Sequence, residues 1–386
     1  MNTANRTLLN TLKIKYPIFQ APMAGVSTVE LASKVTNYGG LGSLPLAGLD
    51  FTNIDSLQKL NAMLNDYHSQ VNDEIPSHIV NLNFFCHDIY SPPTNSQINN
   101  WKSLYGSVLS TDNHDMLNSL NYDKNGNVSF KQFEQSSSPG FSKLMEFLTH
   151  NIQPAIVSFH FGTPSVETIT QFQQNDIMVF VTSTSLDETI HLYDLGVDGI
   201  ILQGYEAGGH RGNFLSSSRL DENLSTHALF TQSIKYLNTR PVSTRALPYL
   251  IPAGGIHDSN TVKYYLDAGA AGVQIGSAFL STPECTTHTF YRAISEQQKR
   301  IPTVMINSVS GKYARAIKTK FIENMVYNNK FSEEELPPYG YMYNAYKELK
   351  PKVAHSQDIG FYLAGQNYYE NESDASVEDV MNKLTQ

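Results

Sequence analysis

The 386-residue chain is predicted to fold as a (β/α)8 TIM barrel, an α/β protein with inserted and C-terminal additions. Three observations carry that prediction. Short apolar runs without polar alternation recur along the chain, as strands buried on both faces do. Helical patterns separate many of them, with capping residues at their starts and glycines at their ends. The runs number eight. A doubly wound sheet is the alternative, but it more often shows one glycine-rich fingerprint after its first strand. Here glycines punctuate several strand ends.

The first run, 17–23, is apolar and strand-like. Ser27, with Glu30 three residues on, reads as a capping box. Leu31, Ala32 and Val35 share one helical face, and Gly39-Gly40 stops the helix. Runs 40–44, 78–85 and 155–161 are the next three strands. The fifth is 177–182, after which Ser185 and Glu188 form a second capping box and Gly196 ends that helix. Run 199–203 is the sixth. Run 250–253 is the seventh, with Asp258 as N-cap and Gly269 as stop, and 272–277 is the eighth. The stretch Asp194-Leu-Gly-Val-Asp-Gly-Ile-Ile-Leu-Gln203 resembles Asp267-Ala-Gly-Ala-Ala-Gly-Val-Gln-Ile-Gly276. Each is a helix end, a glycine turn and a buried parallel strand.

Two regions break this rhythm. Residues 88–140 are polar and hold the single tryptophan, Trp101, and the segment after the eighth strand is rich in Tyr, Asn and Lys. The expected organisation is a barrel over 1–285, carrying the 88–140 insertion, and an extension over 286–386 packed on it. Both additions read as covers for the C-terminal face of the barrel, since loops this long are usually functional or disordered. Aromatic residues argue for order over 321–369, whereas 371–386 is expected to fray.

Composition narrows the function. A formal net charge of −9 argues against nucleic acid as the main partner. Two cysteines far apart in sequence, Cys86 and Cys285, form no disulfide framework and suit a reducing compartment. No run approaches the roughly 18 apolar residues of a membrane span. The first 29 residues hold Arg6, Lys13 and Lys15 and no acid, a pattern that suits a transit peptide. The early start of the first strand argues against a removable leader, and a cytoplasmic location is expected.

Barrel active sites form at strand ends. Those ends supply Ala21, Pro22 and Met23, then Asn83, 158–162, 203–210, Gly254-Gly255 and Gln274-Ile275-Gly276-Ser277. The last two groups follow strands seven and eight, the usual position of a phosphate site in this fold. In Gln203-Gly-Tyr-Glu-Ala-Gly-Gly-His-Arg-Gly212, glycines 208 and 209 would let backbone approach a flat ligand. His210 is the side chain most easily tuned to take a proton near neutral pH. Arg211 would hold an anion or face solvent, and Glu206 would orient the loop by accepting backbone N–H bonds. His160 would line the pocket or face the helices, and His87 is a weaker candidate. No metal-binding histidine motif occurs and no catalytic metal is expected. Residues 123–134 imitate a calcium loop, but the glycine needed at its sixth position is Val128, so an Asn-Gly turn is expected.

These residues resemble the class I nitronate monooxygenases of fungi and bacteria, formerly called 2-nitropropane dioxygenases. Four segments carry the resemblance: Gln20-Ala-Pro-Met-Ala-Gly-Val-Ser27 with Gly39-Gly-Leu-Gly42; Val157-Ser-Phe-His-Phe-Gly162; residues 203–212 with Phe214; and Pro252-Ala-Gly-Gly-Ile256 with Gly272-Val-Gln-Ile-Gly-Ser277. It implies FMN at the barrel mouth. Ala21, Pro22, Met23 and Asn83 would contact the flavin ring, and Gln203, Gly208 and Gly209 would flank it. Gly254, Gly255, Gln274, Ile275, Gly276 and Ser277 would take the phosphate end. His210 would be the catalytic base, with a pKa of roughly 6.5 to 7 suiting removal of a nitroalkane α-proton. Protonated His210 or Arg211 would steady a nitronate that arrives as the anion. The implied reaction is oxidation of a small alkyl nitronate by O2 to a carbonyl compound and nitrite. Propionate 3-nitronate is the expected substrate and detoxification the expected role, by a monomer or homodimer. The Glu-Ala-Gly-Gly-His core also occurs in flavin enoyl reductases, so an NAD(P)H-dependent reductase of enoyl thioesters or quinones is the alternative enzyme. A flavin-storing protein without turnover is the non-enzymatic one. Arg211, Lys312, Arg315 and Lys318 are the candidate partners for a substrate carboxylate.

Overall fold

A computed structural model describes residues 3–53, 55–109, 115–136, 139–240, 246–297, 300–353 and 359–386. In chain order the strands are β1 (Ile18–Gln20), β2 (Ser43–Pro45), β3 (Asn81–Phe85), β4 (Ile156–His160), β5 (Met178–Ser183) and β6 (Gly199–Gln203). Then come β7 (Gly209–His210), β8 (Tyr249–Ala253), β9 (Val273–Ile275), β10 (Thr303–Ile306) and β11 (Ala314–Ile317). Eight of them form one parallel sheet in the order β1-β9-β8-β6-β5-β4-β3-β2. Its two ends meet. Phe19 bridges Leu41, just before β2, with Gln20 N–H donating to Leu41 O at 2.9 Å and Leu41 N–H to Ile18 O at 2.9 Å. The sheet is therefore a barrel, and the doubly wound alternative falls.

Alternation along each strand divides two cores. Ile200 and Leu202 of β6, Val157 and Phe159 of β4, and Val273 and Ile275 of β9 face the helical ring. Ile201, Ile156 and Phe180 point inward, where Leu8, Leu9 and Leu12 of the first helix, Thr3–Leu12, join the same interior cluster. Asn5 ties that helix to the barrel by donating to the Ala271 carbonyl at 2.7 Å.

The helices start largely where capping chemistry directs. Ser185 caps Leu186–Leu195 and Asp258 caps Ser259–Asp267, while Gly39 and Gly196 end their helices in the left-handed region. Two details differ from the sequence reading. Thr28, not Ser27, caps Val29–Tyr38. Threonine offers the same oxygen one residue later, which leaves the Ser27 hydroxyl to accept from Gln20 Nε2 at 2.9 Å and Met23 N–H at 3.1 Å. Glu188 does not turn back to its cap. Its buried carboxylate accepts from Thr184 N–H at 2.6 Å and from Phe214 N–H at 2.6 Å, pinning the loop after β7.

The end of the chain does not fray. Helix Val377–Thr385 opens with a Ser376/Asp379 capping box and buries Val377, Met381 and Leu384 in the same core as Leu31 and Val35. It packs against Val29–Tyr38 and Ser259–Asp267, so the final helix completes the ring around the barrel. The two additions share a core of their own. Trp101, Leu104, Tyr105 and Tyr122 from the insertion cluster with Ile306, Ala316, Phe321, Met342 and Tyr346 from beyond the eighth barrel strand. The small sheet β10-β11-β7 belongs to this roof, and Ala314 of β11 pairs with His210 of β7.

Candidate active site

Period-two alternation decides which side chains crown the barrel. It turns Asn83, His160, Thr182, Gln203 and Gln274 inward at the C-terminal ends of five strands, and all five line one cavity. The cavity measures about 370 Å³, within the range of small-molecule sites. Ala21, Pro22, Met23, Gly208, Gly209, His210, Gly254, Gly255, Gly276 and Ser277 also line it. Ile275 does not. The same alternation that turns Gln274 inward sends Ile275 out to the helical core, where it is 1% exposed.

The roof closes the cavity with residues that the strand-end reading did not find. Gly126 and Asn127 come from the tip of the insertion, and Tyr339, Tyr343 and Lys347 from the later addition. Lys347 Nζ donates to Gly126 O at 3.2 Å and Asn127 Oδ1 at 3.2 Å, which locks the two additions together over the pocket. The Asn-Gly turn at this tip was the only sequence signal for its position.

His210 is held from several sides. Its carbonyl accepts from Gln203 Nε2 at 3.0 Å and from His160 Nε2 at 3.2 Å, while Gln203 Oε1 accepts from Gly212 N–H at 2.8 Å. Its ring lies edge-on to Tyr339, Tyr343, Phe161 and Phe361 at centroid distances of 5.5, 5.6, 6.0 and 6.3 Å. Burial, helped by His160, Lys312 and Lys347 nearby, lowers its pKa to about 3. Burial likewise lowers His160 to about 4. Both shifts run below the 6.5 to 7 expected of the base. The downward shift favours the neutral imidazole.

Arg211 is buried and does not line the cavity. Its guanidinium pairs with Asp221 at 2.6 Å and donates to the Gln203 carbonyl at 2.5 Å and the Thr184 carbonyl at 3.1 Å. Burial pushes the Asp221 carboxyl up, but the hydrogen-bonded Arg211 holds it below its ordinary value. The remaining sequence candidates for an anion partner do not line the cavity and bond to protein groups. Arg315 bonds the Tyr205 carbonyl at 2.7 Å, Lys318 pairs with Glu323 at 3.2 Å, and half-buried Lys312 donates to Asn213 O at 3.1 Å. Lys347 is the lysine that lines the cavity, with burial lowering its pKa. Glu206 accepts backbone N–H as expected, from Thr226 at 2.8 Å.

The glycines divide by use. A Cβ on Gly208 would stand 2.4 Å from Gly365 N, so this glycine admits residues 364–367 on one side while it lines the cavity. A Cβ on Gly209 would meet nothing within 4 Å. Gly254 and Gly255 adopt φ of +118° and +71° beside Gly276 and Ser277 at the ends of β8 and β9. The Ser277 hydroxyl accepts from Gly365 N–H at 2.8 Å, leaving its own proton to donate. Gln274 Oε1 is buried and unpaired at the cavity. Buried polar atoms without partners are rare and call for a ligand or water. Open backbone at Gly209, an orphan acceptor at Gln274 and a small, polar glycine corner fit a flat group carrying hydroxyls and a phosphate. Among the described residues no group of three or more His, Cys, Asp or Glu could hold a metal ion, and no helix is long and apolar enough to cross a membrane.

A protein from Saccharomyces cerevisiae named "Putative nitronate monooxygenase" is 43% identical over 367 residues, covering 94% of this chain and 88% of the relative. A nitronate monooxygenase of Pseudomonas aeruginosa is 30% identical, covering 88% and 86%. Among solved structures, nitroalkane oxidase from Streptomyces ansochromogenes aligns with a TM-score of 0.72 at 22% identity over 97% of both chains, which supports the barrel fold. The family model described as nitronate monooxygenase matches residues 5–66 and 106–386, and with the relatives that span most of its length it shows that the chain belongs to the nitronate monooxygenase family.

Proposed function

We propose that the protein is an FMN-dependent enzyme that oxidises small alkyl nitronates with O2 to a carbonyl compound and nitrite. The observation that carries this reading is an aromatic-walled His210, kept neutral by burial, lining the same cavity as the glycine cradle after β8 and β9. The cradle of Gly254, Gly255, Gly276 and Ser277 would hold the phosphate, Gln274 and Asn83 the polar edges, and Gly209 the open face. When bound, FMN supplies the electron acceptor and the site of oxygen reduction.

The protein's own groups do the rest. Neutral His210 takes the α-proton when the substrate arrives as the nitroalkane. A nitronate needs no base, only a cation and a dry pocket. Lys347 supplies the cation, and Tyr339 and Tyr343 exclude water. Lys347 also favours nitronates with a carboxylate, of which propionate 3-nitronate is the simplest expected case, and detoxification would follow.

The test is oxygen uptake with propionate 3-nitronate and with nitroethane, alongside anaerobic mixing with NADH and NADPH. Nitronate alone should bleach the flavin. Lys347→Met should raise KM for the carboxylate-bearing nitronate by roughly 10- to 100-fold, the worth of a charge-assisted hydrogen bond. Rapid bleaching by a nicotinamide, with none by nitronate, would replace this reading with the reductase.

A further inference from the structure

Ser310 lies in the turn between β10 and β11 and is fully buried. Its Oγ stands 2.8 Å from His210 Nε2 and donates to the Lys312 carbonyl at 3.0 Å. A hydroxyl has one proton, and a carbonyl can only accept. With that proton given to Lys312 O, the contact to Nε2 holds only if Nε2 carries the hydrogen. His210 Nδ1 has no hydrogen-bond partner among the described residues, and it is absent from the buried unpaired atoms, so it is reachable from the cavity that His210 lines.

From this geometry we infer that Ser310 is a positioning residue that fixes the tautomer of His210, with Nε2 protonated and Nδ1 bare toward the substrate. Four aromatic edges set the plane of the ring. They leave open which nitrogen holds the proton, and Ser310 decides it. The charged and titratable groups around the ring are His160 of β4, Lys312 beside Ser310, Lys347 of helix Tyr341–Leu349, and Tyr339 and Tyr343. None is a carboxylate, so no acid competes to orient the imidazole. The catalytic consequence rests on the nitroalkane reading above. The α C–H bond of the nitroalkane breaks, its electron pair becomes the C=N bond of the nitronate, and the proton passes to Nδ1. The other tautomer presents N–H to the substrate and cannot accept.

The test separates tautomer from turnover. Holoenzyme labelled with ¹⁵N in histidine is examined by long-range ¹H–¹⁵N correlation at pH 7.5, with His210 assigned by its loss in His210→Asn. Wild type should show Nδ1 unprotonated and Nε2 protonated. Ser310→Ala should give averaged shifts of mixed tautomers, and Ser310→Thr should restore the wild-type pattern. Losing one hydrogen bond of about 1 kcal/mol corresponds to roughly fivefold. The value of kcat/KM for nitroethane should fall by about that factor in Ser310→Ala, with a preformed nitronate changed less than twofold. A protonated Nδ1 in wild type, or a Ser310→Ala spectrum identical to wild type, overturns the inference. An enzyme inert to nitroalkanes overturns the functional reading instead, and the spectrum still judges the tautomer.

Discussion

His210 has a pKa of about 3, so its base form is complete throughout the physiological range. The sign follows directly. Proton-accepting capacity is lost only as pH falls through that value, so kcat/KM for a neutral nitroalkane should show no acid limb from His210 between pH 5 and 8. A limb near 6.5 would mean that the imidazole is more solvated than its aromatic walls indicate. His210→Asn should lower kcat/KM for nitroethane by roughly 10²–10⁴, the usual worth of a general base, and cost a preformed nitronate far less. Equal losses on both substrates, with flavin retained, would remove the proton-abstraction role. Its neighbour in sequence acts otherwise. Arg211 and Asp221 are a buried pair, 3% and 7% exposed at the side chain, and Arg211 also fastens the end of β6 through the Gln203 carbonyl. Removing one partner of such a pair costs about 3–5 kcal/mol because the other charge stays buried. Arg211→Ala should therefore lower the unfolding free energy by that amount, read as a lower urea midpoint, and a variant as stable as wild type would restore Arg211 as a candidate ligand.

Strands and helices of the barrel were legible because their signals are local. An apolar run flanked by glycine stays a strand whatever lies beyond it, and the eight expected runs overlap all eight barrel strands. The same period-two rule, applied strictly, separates Gln274, which lines the cavity, from Ile275, whose side chain joins the helical core. Helix starts were legible to one residue, since Ser27 and Thr28 carry equivalent oxygens and only the turn at Met23 chooses between them. The last helix was not legible. Its sequence looks polar when read alone, and its apolar face has meaning only against helices some 110 and 340 residues earlier in the chain, such as Val29–Tyr38. That dependence can be measured. Met381 is fully buried, and its Cε would stand 3.1 Å from a Cβ added at Gly40. Met381→Ala should destabilise by about 2–5 kcal/mol, the range for emptying such a site, read as a lower denaturant midpoint. A midpoint unchanged from wild type would mean that this helix frays in solution.

At the scale of the molecule, the barrel supplies the floor of the site and the two additions supply its roof. Floor residues could be listed from strand ends, but roof residues such as Asn127, Tyr339, Tyr343 and Lys347 have no periodic setting in the sequence. Their position follows from a core that joins segments about 200 residues apart, which no local pattern encodes. The seam between floor and roof also has a thermodynamic signature. His87 follows β3, His160 ends β4 and His210 forms β7, and burial lowers these three to about 4, 4 and 3. His87 and His210 both meet the Tyr339 ring, at 5.1 and 5.5 Å. In the unfolded chain each takes a proton near 6.5. Between that value and about 4 the unfolded state therefore binds more protons than the folded one, and stability is lost as pH falls through this window. Each such histidine contributes a slope of up to about 1.4 kcal/mol per pH unit. Asp and Glu titrate lower, near 4 when unperturbed, so the upper half of the window reports mainly on histidines. The denaturant midpoint should fall steadily from pH 7 to pH 5, and His87→Gln, which cannot titrate, should flatten that fall by removing one of the three contributions. A midpoint constant across this interval would mean that the seam opens readily enough to hydrate and protonate all three rings.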